Sequence, residues 1–409
     1  MKKLTLSHLL VKNFDLRQQE IPIFLMLFAH SFFLGLAGAF YFTPANSEFI
    51  RHYGSEQLPY AYMVSGIAGF IFTQLYSWLQ KSIDSRKLFI ITLAFMTVVT
   101  MGAPFLINYV DAKHLSFFVF IWAWPFLSMV GIETGALSLK FLNLVQVKRI
   151  FALFSIGGVL AAMSGYLIIP LLNKVFSHSY MLLFISAVSF LVGIVTLVIL
   201  YNKYPEKLVE EKKRLALENK KLLSFSAPND GTGLLQLLKK DYFKYIFICA
   251  TLSMTIIYIT DFSFLSTVKI QIHPDNTAQF LTLVYGGLKI GELLLSFYSA
   301  KIMSRYGVKL GLMILPVCMV VVVSIAAVVG LIWSVNCIMF LILITVNKSQ
   351  ERVLRRGLDD PAFNILYQPL PDNEKSAIQT KVGVVQQFST GIAGVTIWGV
   401  NQGIKLLGE

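Results

Sequence analysis

Long apolar runs separated by short polar turns make up most of the chain, and one polar stretch, Asn202 to Lys244, interrupts them. Six apolar runs precede it, at roughly 21–42, 58–79, 88–108, 115–139, 150–172 and 180–201. Five follow, at roughly 243–267, 277–299, 310–330, 332–351 and 382–404, with only Gly330 and Leu331 between the ninth and tenth. Each has the ~20-residue length of a helix that crosses a bilayer. The pattern predicts an all-α, polytopic membrane protein in three parts: a six-helix half over 1–201, a loop over 202–244, and a second half over 245–409.

Composition agrees. The chain is 56% hydrophobic and 14% charged, where a soluble domain has about a quarter of its residues charged. The formal charge of +13 is spread over many short loops, so it reads as a topology signal rather than a nucleic-acid footprint. With the N-terminus placed in the cytoplasm, 28 of the 35 Lys and Arg fall on inside segments and five outside, as the positive-inside rule requires. That count assigns Lys348, Arg352, Arg355 and Arg356 to an inside loop. The expected setting is a bacterial inner membrane. Cys249, Cys318 and Cys337 lie inside apolar runs, at spacings that fit neither a metal site nor a disulfide framework. The polar N-terminal segment has no small-residue cleavage site and does not read as a signal peptide.

Leu208, Leu215 and Leu222 recur every seven residues in the central loop. They predict a helix with one narrow apolar stripe, lying on the lipid surface or serving as a solvated connector. A weak repeat relates the halves: Tyr76-Ser77 followed by Ser85-Arg86-Lys87 matches Tyr298-Ser299 followed by Ser304-Arg305 and Lys309. Both read as tight basic loops between a second and a third helix.

An ionisable residue at a helix centre costs ~2.5–3.5 kcal/mol on insertion scales, so each one inside a span needs a reason. His30 is near the middle of the first span, Glu133 in the fourth, Asp261 towards the outer end of the seventh, and Lys289 and Glu292 in the eighth. Tyr285, Lys289 and Glu292 share one helix face at i, i+4 and i+7. Gly286, Gly287 and Gly291 interrupt that helix and allow close approach or bending. The lysine and glutamate either neutralise each other or act on a substrate or proton. Asp261 is either a functional group or a simple interfacial carboxylate. His30 is either functional or bonded to a backbone carbonyl. Glu133 has no charged neighbour within one turn and is the strongest single functional candidate.

Two stretches, VKRIFALFSIGGVLAAMSGYL (147–167) and DDPAFNILYQPLPDNEKSAIQTK (359–381), resemble the ATP:ADP antiporter (nucleotide transporter) family of plastids and intracellular bacteria. Ala45-Asn46 and the 58–62 run, LPYAY, are similar to a divergent bacterial branch of it. The resemblance implies a major facilitator-type fold of two six-helix bundles. It also implies that the first, fourth, seventh and tenth helices line a central cavity; His30, Glu133 and Asp261 fall on the first three, and Asn336 and Asn347 on the tenth. It adds Asn46, Lys375 and Lys381 to the expected substrate-binding set of His30, Glu133, Asp261, Tyr285, Lys289 and Glu292. The chain departs from the family where 43–48 lacks a Lys-Asp pair and where Ile378-Gln379 stands in place of Gly-Lys. Six plus six helices leave a twelfth span missing after Gly408-Glu409; a truncated sequence is the expectation and an eleven-span protein the alternative.

These readings imply a secondary transporter working by alternating access, exchanging a nucleotide or another small organic anion, or taking it up with protons titrating Glu133 or Asp261. A transporter-like scaffold or sensor without flux is the competing expectation. No cofactor, metal or nucleic acid is called for. An enzyme is not expected, since the chain has no HExxH or Gly-x-Ser-x-Gly motif and no clustered His/Asp ligands.

Overall fold

The computed structural model describes residues 17–106, 109–141, 144–176, 179–207, 241–366 and 372–408. The described residues are helical almost throughout. The first half holds α1 (Ile21–Tyr53), α2 (Leu58–Ser82), α3 (Ser85–Leu106), α4 (Ala112–Phe141), α5 (Leu144–Val175) and α6 (Met181–Lys203). The second holds α7 (Asp241–Gln271), α8 (Pro274–Trp333), α9 (Ile338–Leu354), a π-turn (Arg355–Asp359), α10 (Asp360–Ile365) and α11 (Asp372–Gly408). In lipid every backbone polar group must find its partner within the segment, and a long helix meets that condition. The heptad leucines 208, 215 and 222 and the Tyr367–Leu370 run lie outside the described residues.

The apolar runs of the sequence fall in these helices, with two changes of boundary. The eighth and ninth runs are the two arms of α8, which bends at Gly307, where φ is +80°. The left-handed backbone there is one that glycine adopts without strain. A kink therefore takes the place of the expected basic loop. The ninth and tenth runs separate at Ser334–Cys337, so Asn336 lies in a turn rather than on the tenth helix. Nine helical stretches among the described residues are long and apolar enough to cross a membrane. α9, with 17 residues, and α11 are not among them.

The halves meet along two seams, α2 against α11 and α5 against α8. Small residues set the first. A Cβ on Gly394 would lie 2.5 Å from the Pro59 carbonyl oxygen, and one on Gly66 would lie 2.7 Å from the Gly391 amide nitrogen. Small residues allow such close approach of helix backbones in membranes, where no hydrophobic force drives helices together. Glycine in the eighth run acts similarly: Gly291 sits against Val353, whereas Gly287 faces open space. A test follows from the α2–α11 contact. Gly394→Ala should cost ~1–3 kcal/mol by overpacking. Gly399→Ala, where a methyl group meets nothing within 4 Å, should be neutral or gain up to ~1 kcal/mol of helix propensity. Thermal unfolding of the two variants in detergent measures the difference.

Candidate functional site

The polar side chains that matter most fall on the last two turns of α9 and the π-turn beyond it. Asn347, Lys348, Glu351, Arg352, Arg355 and Arg356 recur at three- and four-residue spacing, so they form one stripe down a helix. The structure corrects the assignment of four of these cations to a loop. Lys348 has 0% exposure and its ammonium contacts two carboxylates, Asp261 Oδ1 at 2.8 Å and Glu351 Oε2 at 3.1 Å. The Tyr62 hydroxyl, from the other half, donates to Asp261 Oδ2 at 3.1 Å. Asp261 is thus a buried, doubly held carboxylate and not an interfacial one. A charge this deep persists only with partners of opposite sign and satisfied hydrogen bonds.

One turn further along, the Arg352 guanidinium lies 5.6 Å from the ring centre of Phe42 on α1 and 5.7 Å from that of Trp124 on α4. Both rings belong to the first half. Next to them, Trp124, Tyr62 and Tyr258 form ring contacts at centroid distances of 5.2 and 5.1 Å, and Tyr285 packs on Tyr166 at 5.6 Å. These aromatics close the middle of the inter-half space.

Two polar chambers open beside this aromatic layer, and Arg352 and Arg356 line both. One, of about 300 Å3, includes Met254, Tyr258, Gln386 and Thr390. The other, of about 310 Å3, has a wall of Gly35, Gly38 and Gly158 and a polar edge of Lys289 and Glu292. Among the described residues, the charged lining comprises four cations (Lys289, Arg352, Arg355, Arg356) and three carboxylates (Glu292, Glu351, Asp360). Lys289 and Glu292 pair at 2.6 Å. Arg355 lies 3.4 Å from Asp360 and 3.9 Å from Glu351. Arg352 and Arg356 have no carboxylate within salt-bridge distance among the described residues. The arrangement can hold an anion at the pair of free guanidinium groups, which form planar, bidentate contacts with carboxylate or phosphate.

Of the residues expected to bind substrate, Lys289 and Glu292 line a chamber, and Asp261 is the buried partner of Lys348. Tyr285 is buried in the aromatic layer, and its hydroxyl has no hydrogen-bond partner among the described residues. His30 donates through Nδ1 to the Gly193 carbonyl at 3.0 Å, which is the backbone-bonded alternative, and it joins α1 to α6. Asn46 donates back to the Phe42 carbonyl in its own helix at 2.7 Å. Glu133 is buried on α4, while its neighbours Val130 and Thr134 face the glycine-walled chamber. Lys375 and Lys381 lie on α11, with their side chains outside the described residues. The sequence reading missed the arginines and Glu351 as site residues, because basic residues at the end of an apolar run look like topology signals. Their helical spacing, continuous with Asn347, was the available clue.

A two-halved helical membrane protein with a charged, aromatic-capped space between its halves defines the class. The chain belongs to the Major Facilitator Superfamily, whose family model matches residues 142–347. The fold is similar to those of several solved transporters. One is the nucleoside transporter NupG (17% identity, 92% of this chain and 90% of that one, TM-score 0.62). Another is the inward-open xylose transporter XylE from E. coli (8%, 92% and 89%, 0.61). A third is a POT family transporter in complex with 5-aminolevulinic acid (11%, 90% and 89%, 0.58). At these identities the likeness is one of fold. No curated protein sequence matches the chain.

Removing one partner from a buried ion cluster leaves an uncompensated charge, at a cost of ~3–5 kcal/mol. Lys348→Met should therefore sharply lower thermal stability in detergent, and adding Asp261→Asn should recover part of the loss. A double-mutant cycle on melting temperature checks this.

Proposed function

We propose that the protein is a secondary transporter that carries a small organic anion by alternating access, with Arg352 and Arg356 as the anion-binding groups. The observation that carries the reading is the pair of guanidinium groups one helical turn apart, shared by both chambers and without carboxylate partners among the described residues. Net positive lining in a low-dielectric space favours an anion, and rocking of the halves about a central site is how this architecture moves a bound solute. The resemblance to the ATP:ADP antiporter family makes a nucleotide the first candidate. The nearby aromatic rings suit a planar ring. Asp261 and Glu133 are the carboxylates on which proton coupling would act. The positive-inside bias favours a cytoplasmic N-terminus even without the four α9 and π-turn cations, and a bacterial inner membrane remains the proposed setting.

The chambers lie on the side of the membrane where α6 ends and α7 begins. Contacts between the halves gather on the opposite side: Trp398 donates to the Tyr60 hydroxyl at 2.8 Å, and Arg51 lies 3.7 Å from Asp275. This geometry supports a state open towards the central loop.

The test is ligand binding by thermal shift, then uptake into sealed proteoliposomes, over a panel of nucleotides, nucleosides, sugar phosphates and dicarboxylates. An anion, and not its neutral counterpart, should raise the melting temperature. Arg352→Gln should weaken that binding ~10- to 100-fold, the loss of a charge-assisted hydrogen bond worth ~1.5–3 kcal/mol. Equal shifts with nucleosides and nucleotides, or full binding by Arg352→Gln, would overturn the assignment; binding without flux would favour a sensor.

A further inference from the structure

A third cavity is not between the halves. It is an apolar groove of about 460 Å3 on the lipid-facing side of the first half, lined by α2, α3 and α4. Packing explains why it exists. α3 rests chiefly on α6, and α2 chiefly on α11 and α4, so these two consecutive helices touch each other little. The floor is buried (Leu88, Thr92, Tyr76) and the rims are open (Ile71, Leu75, Ile91).

Its length and its two ends are specific. Along α2 the lining runs from Ala68 to Leu79, a rise of about 16 Å at 1.5 Å per residue. That is half of the ~30 Å hydrocarbon core, or one leaflet. The deep end is closed by aromatic rings: Phe72 lies 5.7 Å from Phe95 and 5.5 Å from Trp122, centre to centre. The shallow end, at Leu79 and Leu88, opens at the basic turn between α2 and α3. The sequence there holds Lys81, Arg86 and Lys87 against Asp84. Asp84 pairs with Arg86 at 3.2 Å, and Lys87 is exposed. Trp78, 63% exposed, sits at this level, where tryptophan anchors to the headgroup zone.

We infer that this groove is a binding site for one anionic glycerophospholipid of the leaflet on the central-loop side, with an acyl chain between α2 and α3 and its headgroup at Arg86 and Lys87. The apolar cleft accounts for the chain, and the net charge of the turn accounts for the sign of the headgroup. A surface cation contributes ~1 kcal/mol to attraction for an anionic lipid. The lipid lies against α2, the helix that also carries Tyr62 and Gly66 at the seam between the halves. Occupancy would therefore brace the first half behind that seam.

Native mass spectrometry of the full chain in neutral detergent tests this, with phosphatidylglycerol and phosphatidylcholine of identical acyl chains as probes. One retained phosphatidylglycerol is expected, bound at least about fivefold more tightly than phosphatidylcholine, as the exposed cation Lys87 alone would give. Lys87→Glu, on the exposed turn, should remove the preference and leave phosphatidylcholine binding unchanged. Leu75→Trp, which fills the open rim, should reduce retention of both lipids. Arg352→Gln should change neither, which separates the groove from the anion site. Equal affinities for the two lipids, a preference that survives Lys87→Glu, or loss on Arg352→Gln would each overturn the inference.

Discussion

A lysine ammonium with no access to solvent, held between two carboxylates, governs the second half of this protein. Lys348 touches both Asp261 on α7 and Glu351 one turn along its own helix. In hydrocarbon none of the three charges could stand alone, so their mutual attraction, with Arg355 3.9 Å from Glu351 as the second cation, fixes how α7 packs on α9. It also fixes how far α9 extends. The stripe begun at Asn347 and Lys348 continues without a break through the π-turn to Asp360. An uncharged α9 could end at the membrane surface; this one carries its polar face along the inter-half space. The rotation that points Lys348 at Asp261 also sets Arg352 between Phe42 and Trp124 and places Arg356 on both chamber walls.

The fold was largely legible in the pattern of apolar runs, because the bilayer imposes one length and one secondary structure on every crossing. The details that escaped were those in which a local feature substitutes for a loop. Gly307 bends α8 where a basic turn was expected, since a single glycine at positive φ turns the chain as effectively as several polar residues. The site was legible where charge interrupts an apolar run: Asp261, Lys289 and Glu292 declare themselves that way. It was hidden where charge comes at the end of a run. Arg352, Arg355 and Arg356 follow a span directly, and in one dimension such residues read first as topology signals, with only their helical spacing to suggest otherwise. Only the partner helices distinguish a cation facing the headgroups from one facing Trp124. His30 illustrates the converse. It interrupts an apolar run as conspicuously as Asp261 does, yet its donor bond to the Gly193 carbonyl ties one helix of the bundle to the next.

The contacts also divide by strength in a way that suits motion. Among the described residues the close ion pairs stay within one half: Lys348 with Asp261 and Glu351, Lys289 with Glu292 and Arg355 with Asp360 in the second, and Arg86 with Asp84 in the first. Contacts across the seam are of weaker kinds. They include a tyrosine hydrogen bond to Asp261, the Arg352 stack worth ~2 kcal/mol when desolvated, a Trp398–Tyr60 hydrogen bond, and glycine-mediated helix contact. One ion pair does cross, Arg51 with Asp275, but both side chains are more than half exposed, and such pairs contribute ~0–1 kcal/mol. If the strong pairs spanned the halves, separating them would leave bare charges in the membrane, at several kcal/mol each. Because they do not, each half can keep its own charges neutral while the seam opens. The guanidinium of Arg352, stacked on two rings of the first half, is then a cation whose surroundings must change as the halves part. An anion bound beside it would supply the compensation that Phe42 and Trp124 withdraw. Substrate binding and release of the seam are thereby linked through a single side chain.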